Sequence, residues 1–155
     1  MSNPIKAACL EIFRESFEGV APGSNGTWYV EGREAIFNSL SSISAEEASR
    51  ILPGQRSTIG AHANHLCYYL SLFNANLRGE KPDADWSGSW AQQEFDEDGW
   101  RDVEIRTKSE FAEAIEWYRS DTDFRNDDHA VYAVANVAHA AFHLGAIRAL
   151  IPQVQ

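Results

Sequence analysis

The sequence predicts an all-α protein. Three observations carry this expectation. Apolar residues recur at helical spacing in five separate segments, no segment shows a convincing apolar–polar alternation, and the segments are punctuated by capping residues, Gly and Pro. The 155 residues are expected to form one domain, 1–155, long enough to bury a single core. Four main helices is the natural count. The N-terminal helix is then an extra, or half of a broken one.

The first segment is Pro4 to Gly19, where Ile5, Ala8, Cys9, Ile12, Phe13 and Phe17 share a face. Pro4 suits a first helical turn and Gly19 a stop. A turn-rich loop, Ala21 to Gly26, follows, and Thr27 to Val30 reads as a short extended piece with nothing to pair with. The second segment follows Gly32 and carries Ala35, Ile36, Leu40 and Ile43. Ser44-Ala45-Glu46-Glu47 reads as a capping box, so the helix breaks and restarts there before Pro53-Gly54 ends it.

The third segment runs from about Ser57 to Arg78, with Ile59, Leu66, Leu70, Phe73 and Leu77 as its stripe, and Gly79 and Pro82 stop it. Residues 81–104 are the least regular. They hold Trp86, Trp90 and Trp100, and the acidic run Glu94 to Asp98 reads as a solvated face or a helix start. Ile105 to Trp117 is the fourth segment, with Thr107 as its candidate cap. Asp121-Thr122-Asp123 marks a turn. The fifth segment runs from Asp127 to Leu150 and ends at Pro152. Asp127 and Asp128 at its start, and Arg148 near its end, complement the helix dipole.

The formal net charge is −10 and the pI about 4.8. Lys and Arg are scattered, so no basic patch offers itself to a phosphate backbone, and no nucleic-acid partner is expected. The N-terminus lacks a signal-peptide pattern, and no apolar run approaches the length of a bilayer span, so no membrane partner is expected either. Two cysteines, Cys9 and Cys67, do not make a disulfide framework. The expectation is a cytoplasmic protein with both thiols reduced. No Gly-rich phosphate loop, Gly-x-Ser-x-Gly elbow or Cys-x2-Cys pair is present.

The chemistry concentrates in the histidines: His62, His65, His129, His139 and His143. His139 and His143 stand four apart on the fifth segment. Their rings leave one face about a turn apart, the spacing of a metal-ligand pair. With Val131, Ala135, Ala138, Phe142, Ala146 and Ala149 taken as the core stripe, both fall at its edge, where a cavity can open. On the third segment His62 lies inside the stripe, about 40° from Leu66, and His65 at its edge, about 100° away. A residue at the stripe centre must pack, so His65 is the better third ligand and His62 a structural or supporting neighbour. Three neutral imidazoles leave a divalent ion, zinc or nickel here, with an open position. Cys67 points about 200° away from His65 and reads as a small buried hydrophobe. His129 reads as exposed or as a helix-start contact. Tyr68, Tyr69 and the tryptophans either cover the pocket or pack loops and core.

Two stretches, Ser57-Thr58-Ile59-Gly60-Ala61-His62-Ala63-Asn64-His65-Leu66 and His139-Ala140-Ala141-Phe142-His143-Leu144-Gly145-Ala146-Ile147, resemble the two metal-binding motifs of the DinB-like, or YfiT-like, superfamily. In that family a Ser or Thr starts the second bundle helix and a His follows seven positions later, which from Thr58 lands on His65. The last helix carries His-x3-His and then a small residue, matching His139, His143 and Gly145. Many members have Gln after that Gly, where this chain has Ala146. The resemblance implies an up-down-down-up four-helix bundle and a metal site of His65, His139 and His143. It implies a homodimer and a metal-dependent hydrolase or thiol S-transferase, which activates water or a low-molecular-weight thiol cosubstrate against a small-molecule substrate. It assigns no further catalytic residue. The competing expectation is a non-enzymatic dimeric helical bundle, stress-related or binding a small molecule, in which the histidines are structural.

Overall fold

The computed structural model describes residues 3–120, 124 and 127–155, and all its regular secondary structure among them is helical. In chain order the helices are α1 (Pro4–Glu18), α2 (Ile36–Ser41), α3 (Ala45–Ala48), α4 (Ile59–Leu77), α5 (Glu97–Arg119) and α6 (Asp127–Val154), with a single 3-10 turn at Gly88–Trp90 between α4 and α5. The turn expected at Asp121-Thr122-Asp123 lies outside the described residues.

Local chemistry sets the starts. The Asn3 side chain accepts from the Ile5 and Lys6 amides, with Pro4 in the first turn of α1. The expected capping box of α3 is present in both directions. Ser44 Oγ accepts from the Glu47 amide at 3.2 Å, and the Glu47 carboxylate accepts from the Ser44 amide at 2.7 Å. Thr58 caps α4 and Asp96 caps α5, each accepting from the amide three residues on. Gly19 ends α1 with a φ of 85°, a conformation that residues with a Cβ rarely adopt.

The long helices α1, α4, α5 and α6 build the core. Helix α4 packs on α5 and α6, and α1 packs on the same two. The N-terminal helix is therefore no extra. Its Phe13 and Phe17 are fully buried and pack against Phe111 and Tyr118 of α5 and Phe37 of α2. Burying each such ring stabilises by roughly 1.5–3 kcal/mol. Lys6 and Glu15, both buried on α1, tie it to its surroundings. Lys6 Nζ donates to Ser120 O at 2.9 Å, and Glu15 accepts from Thr27 N and Oγ1 and from Val30 N. Those bonds order Thr27 to Val30 as a bent loop, and no strand forms there.

Three sequence expectations need correction. Helix α5 starts at Glu97, not Ile105: the acidic run supplies its cap, Asp96, and the start of its first turn, Glu97 and Asp98. Thr107 is no cap but a buried mid-helix residue whose hydroxyl donates to Val103 O at 2.7 Å. Helix α6 runs past Pro152 to Val154, because Val154 is buried and its carbonyl accepts from the Arg50 guanidinium. Arg148 is consequently not in the last turn, and it pairs with Glu34.

The third correction concerns the orientation and length of α6. Its buried residues are Ala133, Asn136, Ala140, His143, Leu144, Ile147, Leu150 and Val154, whereas Val131 and Phe142, expected in the core, are each 63% exposed. The helix is apolar nearly all round, so periodicity fixed no direction. By length and composition alone Asp128–Val154, with a mean hydropathy of 1.4 in its most apolar stretch, would also reach across a membrane. Asn136, His139 and His143 dilute that stretch, so no unbroken apolar run marks it in the sequence. The inward side of α6 is built into the core.

Candidate metal centre

The centre begins at the cap of α4. Thr58 Oγ1 accepts from Ala61 N and donates to Gln93 O, while Thr58 N donates to Gln93 Oε1. This fixes both where α4 starts and where the loop at 85–93 lies against it. Two turns on, His65 faces α6. Gly60 lets this stretch pack closely, since a Cβ there would sit 2.5 Å from the Phe95 ring and 3.2 Å from Ala48 O. From α6, His139 and His143 arrive one turn apart.

His139 Nε2 lies 3.3 Å from His65 Nε2 and 3.3 Å from His143 Nε2. Ligand atoms of all three fall within 4.8 Å of one another, so the cluster could hold a metal ion. Tetrahedral ligands with bonds of 2.0–2.1 Å stand about 3.3–3.4 Å apart, so these two separations fit a tetrahedral ion. His65 is 6% exposed and His143 1%, with His139 half-buried.

The surrounding hydrogen bonds choose the tautomers. Ser89 Oγ donates to Trp86 O at 2.7 Å, which leaves it to accept from His65 Nδ1–H, also at 2.7 Å. His65 Nε2 is then bare and aimed at the cluster. His143 Nδ1 lies 3.1 Å from His62 Nδ1. If His143 donates there, its Nε2 is free as well. Metal-ligating histidines are oriented by such outer partners. His139 is the exception. Its Nδ1 is buried without a partner, and the ring is held instead by stacking on Tyr69, 3.8 Å between centroids at 17°. Asn136 Oδ1, three residues earlier on α6, is likewise buried and unpartnered.

The loop at 85–93 closes the other side. Trp90 stacks on His65 at 4.1 Å and meets His62 edge-on at 5.2 Å. Tyr68 Oη accepts from Asp85 N, and Asn64 Nδ2 donates to Ser89 O at 3.4 Å, which hold the loop down.

Burial lowers the pKa of His62, His65, His139 and His143, because a charged ring would lose its hydration. Repulsion between neighbouring rings adds to this. His139 falls to about 4 through burial and then His65, and His143 falls further through burial and then His139, His62 and His65. All four are neutral at pH 7. Converging lone pairs on neutral rings repel one another, and a cation between them relieves that repulsion.

The structure thus brings together the three expected ligands but inverts the expected exposures. His65 is buried beneath Trp90 and Ser89, His62 is the half-buried one, and His143 sits in the centre of the core face of α6, not at its edge. Cys67 faces α5, with Sγ 3.7 Å from Arg106 Nη1, and its thiol pKa is raised by burial. His129 is half-buried near Trp117. Both cysteines are free. Sequence reasoning missed Ser89. It lies 24 residues from His65 in an irregular loop, where no spacing rule applies.

No protein-family model, no curated protein and no solved structure matches this chain.

Proposed function

We propose that the chain is a metal-dependent enzyme of the DinB-like kind, acting on a small electrophilic substrate as a hydrolase or a thiol S-transferase. The observation that carries this reading is the convergence of three neutral Nε2 atoms with 3.3 Å separations about His139. Zinc or nickel held there would act as a Lewis acid that makes water or a low-molecular-weight thiol reactive near neutral pH. The chain's own residues do the positioning. Ser89 and His62 fix the His65 and His143 rings, while Trp90 and Tyr69 flank the site and limit water.

The two motifs support the family reading, and the packing of α1, α4, α5 and α6 suits an up-down-down-up four-helix bundle. A homodimer is part of the reading. What supports it is the outer face of α6, where Val131, Val134 and Phe142 are exposed and no Asp, Glu, Lys or Arg stands between Asp128 and Arg148 in a chain of net charge −10. The free cysteines suit a reducing compartment, the cytoplasm. That same outer face also favours the second reading, a non-enzymatic dimeric bundle.

Metal analysis of protein purified without a histidine tag tests the proposal. About one zinc or nickel per chain is expected, absent in His139→Ala. Failure to carry metal, or to take it up on addition, would end it. Metal-loaded protein that turns over no thiol or hydrolysable substrate, while His139→Ala loses only thermal stability, favours the second reading.

A further inference from the structure

Beside the histidine cluster, and outside it, lies a cavity of about 180 Å3 between the second half of α4, the start of α6 and the loop at 82–86. Its walls include Tyr69, Leu72, Phe73, Trp86, His129 and Tyr132. None of the described residues that line it is Asp, Glu, Lys or Arg, although the chain has 23 acidic and 13 basic residues. The polar side chains among the described lining residues are the Asn76 amide, the His129 ring, the Trp86 indole and the two tyrosines.

Size and chemistry together narrow the ligand. An apolar cavity of about 150 Å3 suffices for benzene. Ligand pockets are mostly apolar with a few polar groups that set orientation, and rings prefer offset or edge contacts with other rings. At the rim, Trp86 is 50% and Tyr132 46% exposed, apolar surface that a bound ring would take out of water. Tyr69 is the link to the cluster, since it lines the cavity and stacks on His139.

We propose that this cavity binds an uncharged one- or two-ring aromatic compound, at a site separate from the three histidines and joined to them through Tyr69. The proposal does not rest on the metal reading. A charged ring is disfavoured, because no described lining residue is Lys or Arg and desolvating an unpaired charge is expensive. Occupancy changes the surroundings of Trp86 and so its fluorescence.

The test is a titration of the full chain with 1-naphthol and with 2-naphthoate, followed by tryptophan fluorescence and calorimetry. It is run on chelator-treated and on zinc-loaded protein. The expected result is saturable one-to-one binding of 1-naphthol in both forms, at least tenfold tighter than 2-naphthoate. Ala84→Phe, which fills the cavity from the loop, weakens naphthol binding tenfold or more while the far-ultraviolet circular dichroism is unchanged. If that variant does not fold, Trp86→Ala is the second test and is expected to weaken binding by a similar factor. No saturable naphthol binding, equal affinity for naphthoate, or an unchanged affinity in the folded variant would overturn the proposal. Because the chelator-treated arm needs no metal, failure of the metal reading leaves this result intact.

Discussion

Ser89 decides which nitrogen of His65 carries the proton, because its hydroxyl is already committed to Trp86 O. Ser89→Ala removes that acceptor and lets the ring turn or change tautomer. Zinc affinity is then expected to fall by about 10–100-fold, as when outer partners are lost elsewhere. Stoichiometry stays at one, and a competitive chelator titration measures the change. His62→Phe is expected to act similarly through His143, whereas His139→Ala abolishes binding outright. Equal, complete loss in all three would mean that His62 and Ser89 act on folding. At this scale the sequence was partly legible. The four-residue spacing of His139 and His143, the edge angle of His65 and the family resemblance around Thr58 picked the three rings that converge. Which of His62 and His65 is more buried was read backwards, because the helix angle considers one helix and the loop carrying Trp90 covers what looked like an edge.

Among the helices, two glycines make opposite predictions. Gly60 sits where α4 meets Phe95 and Ala48, and a Cβ would lie 2.5 Å from the ring. Gly60→Ala is expected to destabilise by roughly 1–3 kcal/mol, as overpacking does. Gly145 is exposed, and a Cβ there meets nothing within 4 Å. Gly145→Ala is expected to stabilise by roughly 0.4–1 kcal/mol, since alanine loses less chain freedom in a helix. Urea midpoints of the two variants check both signs. Loss of stability in Gly145→Ala would put a second copy of the chain against that position. Helix starts were legible at Ser44 and near Thr58, where a capping side chain stands between a turn and an apolar run. The start of α5 was not, because Asp96 lies inside an acidic run that reads equally as a solvated face. The facing of α6 was illegible for a different reason: alanines all round carry no direction, and only packing against α1 and α4 chooses one.

For the whole molecule, the neutral histidines make stability depend on pH. Their folded pKa values lie below the ordinary 6.5. Above about pH 6.5 neither state holds the extra proton and stability is complete. As pH falls from there toward about 4, the value for His139, the unfolded chain gains protons that the folded chain refuses. Each ring kept neutral then costs about 1.4 kcal/mol per pH unit. Glu15 adds to the loss at lower pH. Burial alone would raise its pKa, but its hydrogen bonds from Thr27 and Val30 hold it below the usual carboxylate range. Denaturant midpoints of metal-free protein are therefore expected to drop between pH 7.5 and 5. Zinc at 100 times its dissociation constant is expected to add about 2.7 kcal/mol at neutral pH and to lose that gain on acidification, as protons compete for the same nitrogens. The all-helical class was legible from periodicity alone, while the place of α1 in the core was not, because it rests on aromatic contacts of Phe13 and Phe17 with residues some hundred positions away. The most direct test of the centre is X-ray absorption at the zinc edge of the zinc-loaded, untagged protein. The account predicts a four-coordinate ion with three imidazole nitrogens at about 2.0–2.1 Å and outer-shell scattering from their rings. A six-coordinate shell of oxygens without imidazole scattering would contradict it.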